Sequence, residues 1–224
     1  MSDDQLSELE QRAAVHAALG DPARLQIVDL LVLSDASPSE LGERLGMPSN
    51  LLAHHVKVLR SAGVVARHRS EGDRRRTYLR LSTAPLDPVG PALAAPRRLV
   101  FVCTANSARS HLAAALWRHA SSIPSTSAGT QPAARMAPGA MTVAGRHELP
   151  LPRLRPRHLD EVITAGDLVV TVCDLAHEQL GRVSQLHWSV PDPVPLGIDA
   201  AFERAYDDLA GRVADLARRM PAAS

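Results

Sequence analysis

Cys103 and Arg109, with five residues between them, stand where an apolar β-branched run gives way to an alanine-rich segment. This passage predicts a strand, a loop and a helix, and loop amides at a helix N-terminus suit an anion. The Arg109 guanidinium matches two oxygens of a tetrahedral oxyanion, and with the amides and the helix dipole it favours the nucleophilic thiolate of Cys103. The predicted oxyanion-binding residues are Thr104, Ala105, Asn106, Ser107, Ala108 and Arg109. The alternative is a buried strand-end thiol near a surface arginine.

Two more chemically useful side chains follow predicted strands in the second half of the chain. Cys173 follows the run 167–172, and Asp192 lies between two prolines after the short run 186–188. The carboxyl ends of parallel strands meet at one edge of a sheet, so both side chains are expected near Cys103. Asp192 is either a rigid turn carboxylate or the acid that protonates a leaving oxygen. Cys173 is either a packed thiol or a resolving thiol that forms a disulfide with Cys103.

The stretch 103–110, Cys-Thr-Ala-Asn-Ser-Ala-Arg-Ser, resembles the phosphate loop of the low-molecular-weight protein tyrosine phosphatase superfamily, which includes thiol-dependent arsenate reductases. Further similar stretches follow in the family's order at 127–130, 159–162, 167–174 and 187–193, so the resemblance covers most of residues 98–218. It implies an α/β domain with a parallel sheet and a Cys-x5-Arg phosphate loop. The implied catalytic residues are the nucleophile Cys103, the oxyanion ligand Arg109, the general acid Asp192, and Ser110, which donates to the Cys103 sulfur. Asn106 is implied to brace the loop.

The substrate expected from the sequence is arsenate. Phosphotyrosine hydrolysis needs aromatic walls, and this chain has only six aromatic residues, with Val194 where phosphatases often carry an aromatic side chain. His187-Trp188 is also more similar to the reductase branch. Cys103 is expected to attack As(V) with loss of water, after which a thiol attacks the Cys103 sulfur and releases arsenite. Two alternatives stay open, a phosphatase that forms a cysteinyl-phosphate and a non-catalytic domain that senses an oxyanion or redox state.

The sequence departs from the arsenate reductases at residues that would complete thiol exchange. Leu180 stands where thioredoxin-coupled relatives carry a second redox cysteine, and Ala108 stands where the family has another cysteine. The exchange is therefore expected to use Cys173 or an external reductant, such as mycothiol, glutathione or a thioredoxin-type protein. No bound cofactor and no metal is expected. Ala105, where the loop usually has glycine, adds a methyl group to a tight cradle and is expected to lower activity.

Capping residues and periodic apolar positions divide the first 82 residues into four helices and a hairpin. Asp21-Pro22 and the box 37–40, Ser-Pro-Ser-Glu, are helix N-terminal signals, and Gly46 is a C-terminal signal. The predicted helices run from 5 to 19, from 22 to about 33, from the box at 37–40 to Gly46, and from 48–50 to about 61. The predicted strands are 64–69 and 77–81. Two short helices that meet at a glycine-containing turn, followed by a hairpin, predict a winged helix-turn-helix.

Charge is segregated within this first domain. Residues 1–53 carry three arginines against nine carboxylates, whereas residues 54–80 carry eight cations against two carboxylates. Residues 46–60 resemble the recognition helix of ArsR-type winged-helix repressors, and the similarity covers roughly residues 8–82. The residues expected to bind a double-stranded DNA operator are Ser49, Asn50, Leu51, Ala53 and His54 in the major groove, and Lys57, Arg60, Arg74, Arg75 and Arg76 on phosphates. The resemblance implies a homodimer, although the Cys-x-Cys metalloid site of many members is missing.

Length and composition fit two small folded domains, since 224 residues are 45% apolar with a net charge of +1. We expect a DNA-binding domain at 1–82, a proline- and alanine-rich linker at 83–97 and the α/β domain at 98–224. In the α/β domain, strands are predicted near 99–103, 125–128, 167–172 and 186–188, and helices near 110–121, 138–147, 158–164, 174–181 and 199–219. The acidic N-terminus, the two cysteines and the lack of a long apolar run predict a cytoplasmic protein without membrane contact.

Overall fold

The computed structural model describes residues 3–82, 96–152 and 154–220. It divides into two compact units, one of Met1–Arg69 with Arg74–Gly90 and the other of Ser70–Asp73 with Pro91–Ser224. All but the last two residues of the predicted linker 83–97 lie outside the described ranges. Within the described ranges, no helix combines the length and the apolar character that crossing a membrane requires.

The first unit is a helical bundle followed by a hairpin. Its elements are α1 (Asp3–Leu19), α2 (Pro22–Leu33), α3 (Pro38–Leu45), α4 (Ser49–Ser61), β1 (Val65–Arg69) and β2 (Thr77–Leu81). The antiparallel strands pair Val65 with Leu81 and Arg69 with Thr77, and Ala36 adds a bridge to Leu79. All four helices and both strands contribute apolar side chains to a single core. This architecture is the predicted winged helix-turn-helix.

Local capping explains where the helices of this unit begin and end. The Asp21 side chain accepts the N–H of Arg24, and Pro22 occupies the first turn of α2. Ser37 forms a complete capping box with Glu40 at the start of α3. Gly46 follows α3 in the left-handed region, at φ 60°, which ends the helix.

The second unit is built on a parallel sheet of four strands in the order β4-β3-β5-β6. The strands are β3 (Arg98–Cys103), β4 (Ser125–Gly129), β5 (Asp167–Thr171) and β6 (Leu186–His187), and the helices are α5 (Arg109–Ala120), α6 (Pro138–Arg146), α7 (Asp174–Leu180) and α8 (Asp199–Arg219). Helix α5 packs on β3, β4 and α8, while α7 packs on β3 and β5. The chain leaves β3 for β4 on one side and returns to β5 on the other. Strands β3 and β5 therefore flank the switch point where ligands bind in open α/β sheets.

The predicted helix 158–164 is wrong, because only Leu159–Glu161 form a single 3-10 turn. The chain before the turn is held extended, since the last residue of β4 donates its N–H to the carbonyl of Arg157 at 2.9 Å. After the turn, the Asp167 carboxylate accepts the N–H of Thr164 at 2.8 Å. These two attachments leave room for one helical turn only.

Candidate functional site

The Cys103 side chain lies at the carboxyl end of β3, the strand between β4 and β5, and is 2% exposed. The backbone N–H of Asn106 donates to the Cys103 Sγ at 3.2 Å, and the Ser110 Oγ lies 3.1 Å from the same sulfur. The Asn106 Nδ2 donates to the Ser110 Oγ at 2.9 Å, which leaves the serine proton free to point at the sulfur. Two donors therefore converge on Sγ.

The loop 104–108 turns its carbonyl groups away from this sulfur. Backbone N–H groups of residues 131, 133 and 137 donate to the carbonyls of Thr104, Ala105 and Ser107 at 2.8, 2.9 and 2.9 Å. In a trans peptide the next N–H points opposite to the carbonyl, so the amides of residues 105, 106 and 108 face the other side. The amide of Asn106 does donate to Sγ on that side. Such a ring of amides is a binding site for an oxyanion.

Asn106 and Gly129 give the loop its shape. Asn106 adopts a left-handed conformation, with φ 47°, which asparagine tolerates better than most residues. Its side-chain oxygen accepts the N–H of Arg157 at 2.9 Å. A Cβ placed on Gly129 would lie 2.7 Å from the Thr104 carbonyl oxygen and 2.9 Å from the Asn106 Cβ, so only glycine fits there. The sequence stretch 127–130 contained this glycine, but its spacing alone did not disclose the contact.

Arg109 connects the loop to the candidate acid. Its guanidinium is 5% exposed, donates to the Val190 carbonyl at 2.8 Å and forms an ion pair with the Asp192 carboxylate at 2.8 Å. Burial opposes the Arg109 cation, but nearby Cys173, Cys103 and Asp192 outweigh burial and raise the pKa of Arg109. An oxyanion bound by the loop would compete with Asp192 for this guanidinium.

Cys173 lies beside the same loop. It follows β5, is 2% exposed, and its Sγ is 3.4 Å from the Thr104 Oγ1. Burial raises the pKa of the Cys173 thiol, although the charge of Arg109 opposes that shift. A protonated Cys173 is a weak nucleophile, because the thiolate is the attacking form.

A buried polar network next to Cys173 was not anticipated from the sequence. The Asp174 carboxylate lies 3.2 Å from the His187 Nε2, and the His187 Nδ1 lies 3.0 Å from the Thr171 Oγ1. The rings of His177 and His187 stack with centroids 4.0 Å apart. Burial opposes the Asp174 carboxylate, but hydrogen bonds from His187 and Ser189 outweigh it and lower the pKa of Asp174. The similar stretches 167–174 and 187–193 contain Thr171, Asp174 and His187, but nothing in the sequence indicated that these side chains meet.

The aromatic side chains of the chain are either buried or stacked on another ring. All six lie in the described ranges: Tyr78, Phe101, Trp117, Trp188 and Phe202 are buried, and Tyr206 stacks on His147 with centroids 3.9 Å apart. The contacts that surround the Cys103 sulfur come from backbone amides and small polar side chains instead. The cradle therefore lacks the aromatic walls that a phenyl ring would need.

In the first unit, α4 presents one polar face and one core face. The exposed residues of α4 include Ser49, Asn50, Leu51, Ala53, His54, Lys57 and Arg60, and Arg74, Arg75 and Arg76 are exposed as well. Leu52 and Leu59 are buried in the core, and the partly buried Val56 and Val58 pack against it. His55 is buried, and its Nδ1 lies 3.8 Å from the Asp21 carboxylate. The residues predicted to bind DNA are thus all accessible.

Two families match the chain. Residues 98–223 match the low molecular weight phosphotyrosine protein phosphatase family, and residues 19–68 match a helix-turn-helix domain family. The transcriptional repressor SdpR of Bacillus subtilis is 33% identical over 55 residues, which are 25% of this chain and 61% of that protein. The chain thus spans less than two thirds of the length of this curated relative.

Two solved tyrosine phosphatases agree with the fold of the second unit. The tyrosine phosphatase Wzb of Escherichia coli is 21% identical with a TM-score of 0.50 and covers 55% of this chain and 97% of its own. Wzb of Vibrio vulnificus is 16% identical with a TM-score of 0.51, and the match covers 56% of this chain and 100% of that protein. An arsenate reductase of Archaeoglobus fulgidus is 26% identical with a TM-score of 0.46, and the match covers 54% of this chain and 98% of that protein. Because the family match spans residues 98–223, more than half of the chain, this protein belongs to the low molecular weight phosphotyrosine protein phosphatase family and carries an ArsR-like helix-turn-helix domain at its N-terminus.

Proposed function

We propose that the chain is a DNA-binding transcriptional regulator fused to a thiol-dependent arsenate reductase, and that it acts in arsenic resistance in the cytoplasm. Family membership implies cysteine-based chemistry on a phosphate or arsenate oxyanion. Cys103 is the proposed nucleophile, Arg109 the oxyanion ligand and Asp192 the general acid. Ser110 stabilises the thiolate, and the amides of loop 104–108 hold the oxyanion.

The choice of arsenate is supported by the composition of the cradle. Amides, one guanidinium and one carboxylate surround the sulfur, while every aromatic ring is buried or stacked elsewhere. An aryl phosphate needs an apolar surface for its ring, because buried apolar area supplies much of a ligand's binding energy. A bare tetrahedral oxyanion needs only the charged and polar groups that are present.

The first chemical step is the formation of a sulfur–arsenic bond. Arsenate displaces Asp192 from the Arg109 guanidinium and accepts hydrogen bonds from the loop amides. The Cys103 thiolate then attacks As(V) and forms the sulfur–arsenic bond, while one arsenic–oxygen bond breaks. The leaving hydroxyl departs as water with a proton that Asp192 takes up from solvent and passes on. Arsenic stays at the +5 oxidation state in this step.

The second step reduces arsenic. A thiolate attacks the Cys103 Sγ, the sulfur–arsenic bond breaks, and its electron pair stays on arsenic, which leaves as arsenite. The two sulfur atoms are oxidised to a disulfide. The attacking thiol is either Cys173 or an external thiol, and the raised pKa of Cys173 favours the external one.

The first unit is proposed to bind a double-stranded DNA operator as a homodimer. The polar face of α4 would enter the major groove with Ser49, Asn50 and His54, while Lys57 and Arg60 hold phosphates. The arginines 74–76 would hold neighbouring phosphates. This assignment is supported by the exposure of these residues and by the helix-turn-helix family match.

Arsenite production tests the enzymatic proposal. The purified full chain is mixed with arsenate and a thiol, and arsenite is quantified for wild type, Cys103→Ser and Cys173→Ser. We expect turnover in wild type and none in Cys103→Ser. Turnover in Cys173→Ser with an external thiol would identify the external route, whereas its complete loss would identify Cys173 as the resolving thiol. No Cys103-dependent arsenite with any thiol would contradict the proposal.

Phosphomonoester hydrolysis is the second candidate function, because the family description names phosphatases and Asp192 lies next to Arg109 at 2.8 Å. This function predicts release of phosphate from small phosphomonoesters without added thiol. The rate would fall in Asp192→Asn, since the general acid is lost. Phosphate release is measured on the same preparations, so the two functions are separated by one set of proteins.

A further inference from the structure

The four residues Ser70–Asp73 contact the candidate site. They connect β1 to β2 along the chain, yet they pack within the second unit. The Glu71 carboxylate accepts the backbone N–H of Asp192 at 2.9 Å and lies 3.7 Å from the Arg109 Nη1. Glu71 is therefore a second carboxylate beside the guanidinium that the proposed chemistry assigns to the oxyanion.

Carboxylates of α7 hold this segment in place. The backbone N–H of Glu71 donates to the Asp174 carboxylate at 2.7 Å, and the backbone N–H of Asp73 donates to the Glu178 carboxylate at 2.8 Å. The Ser70 hydroxyl donates to the other oxygen of Glu178 at 2.6 Å. Hydrogen bonds to carboxylates are among the stronger ones in proteins, so three of them give the segment a defined binding mode.

Gly72 allows the segment to approach α7 closely. A Cβ placed on Gly72 would lie 2.5 Å from the Glu178 Oε2 and 3.1 Å from the Leu175 Cα, which is a backbone atom. The N–H of Gly72 also donates to the Ser70 Oγ at 2.9 Å. Any side chain at this position would push the segment away from α7, so the fit depends on glycine.

The Glu71 carboxylate is held less well than an oxyanion would be. Burial outweighs the hydrogen bond from Asp192 and the charge of Arg109, and it raises the pKa of Glu71. The ionised carboxylate is therefore less stable here than in water. An oxyanion would contact the guanidinium and the loop amides together, whereas Glu71 reaches only the edge of this site. Displacement of Glu71 by an oxyanion is thus favourable.

We propose that segment 70–73 is an internal ligand of the oxyanion site and that a bound tetrahedral oxyanion displaces it; this inference rests on the oxyanion site of the proposed function. Arg109 contacts either Glu71 or the oxyanion. The affinity for the oxyanion is reduced by the fraction of molecules in which the segment is bound. Because the segment continues into β1 and β2, occupation of the site changes the loop that precedes the arginines 74–76, which are expected to bind DNA.

The affinity of the full chain for inorganic phosphate, measured by calorimetry, tests this competition. Ser70→Ala and Gly72→Ala loosen the segment without changing any charge, whereas loss of the Glu71 charge would favour an anion even without displacement. We expect both variants to bind phosphate about tenfold more tightly than wild type, as for the loss of one hydrogen bond to a charged group. Ser125→Ala and Gly145→Ala are the matched controls, because neither residue contacts the segment. Wild-type affinity in both Ser70→Ala and Gly72→Ala would overturn the inference.

Amide hydrogen exchange reports the displacement directly. The amides of residues 71–73 are hydrogen-bonded in the segment, so saturation with phosphate at constant ionic strength should raise their exchange toward the rate of an unprotected peptide. The amides of α8 should not change. Phosphate is not reduced, so this measurement is independent of turnover. Arsenite production with unchanged exchange at 71–73 overturns the inference but leaves the reductase, whereas faster exchange in a chain without turnover supports the inference and overturns the reductase.

Discussion

Ser110 determines how many hydrogen bonds the Cys103 sulfur receives. Because Asn106 donates to the Ser110 Oγ at 2.9 Å, the serine proton is directed to the sulfur 3.1 Å away. Ser110→Ala removes this donor and leaves the Asn106 amide alone. A hydrogen bond to a charged group contributes about 1.5–3 kcal/mol, so we expect arsenite production to fall about 10- to 100-fold.

The alkylation of Cys103 by iodoacetamide reports the same change without arsenate. Since the thiolate is the reactive form, the alkylation rate of Ser110→Ala at neutral pH should fall with the activity. Ser125→Ala is the matched control, because the Ser125 hydroxyl donates to the Ala114 carbonyl at 2.9 Å, outside the loop. Equal alkylation of Ser110→Ala and wild type would show that the serine does not stabilise the thiolate.

His111 makes the stability of the second unit depend on pH. The side chain is 3% exposed and burial lowers its pKa from 6.5 to about 4. Between these values the unfolded chain binds a proton that the folded chain does not. Stability is therefore full above pH 6.5 and decreases as the pH falls toward 4, by about 3 kcal/mol from this residue.

Urea unfolding at several pH values between these limits tests this contribution. Both tryptophans lie in the second unit, so their fluorescence reports its unfolding. The difference in stability between His111→Gln and wild type should shift in favour of the variant by about 3 kcal/mol on acidification. His119→Gln, exposed on the same helix, should follow wild type. Parallel pH profiles for His111→Gln and wild type would contradict this role.

At the scale of elements, the approach of β4 to the oxyanion loop depends on Gly129. A methyl group there would lie 2.7 Å from the Thr104 carbonyl oxygen and 3.0 Å from the Asn106 nitrogen, and both are backbone atoms that cannot rotate away. Gly129→Ala should therefore displace the loop amides and lower arsenite production more than about 100-fold, since preorganised donors contribute several kcal/mol. Gly145→Ala is the control, because its Cβ meets nothing within 4 Å. Near-normal activity of Gly129→Ala would show that the loop tolerates the shift.

Elements whose own sequence contains a signal, such as a helix cap, could be predicted, whereas elements shaped by contacts with residues elsewhere in the chain could not. The helix α2 begins at its predicted cap, because Asp21 needs only the neighbouring N–H of Arg24. The segment 158–164 has helical spacing, but attachments to β4 and to Asp167 reduce it to one turn. The network of Asp174 and His187 likewise forms between residues far apart in sequence. Spacing predicts that Cys103 and its loop form the site, whereas it does not show what holds the loop in place.

At the scale of the whole molecule, the small net charge does not reveal the basic segment that would attract DNA. The chain carries only +1, yet residues 54–80 carry eight cations against two carboxylates, whereas the rest of the chain carries 17 cations against 22 carboxylates. Long-range attraction to a duplex therefore depends on where the charge lies, not on its sum. The exposure of α4 and of the arginines 74–76 makes that charge accessible.

The salt dependence of DNA binding tests this charge distribution without knowledge of the operator. A homodimer that used Lys57, Arg60 and the arginines 74–76 on each protomer would neutralise up to about ten phosphates, for a slope of log K against log salt near −9. Lys57→Gln should reduce that slope by about two, since each dimer loses two contacts of about 0.9 each. The full chain is titrated onto a fluorescent duplex of arbitrary sequence between about 50 and 200 mM salt. Arg12 is exposed on α1, and its replacement in Arg12→Gln should leave the slope unchanged. An equal slope for Lys57→Gln and wild type would show that Lys57 of α4 does not contact phosphates.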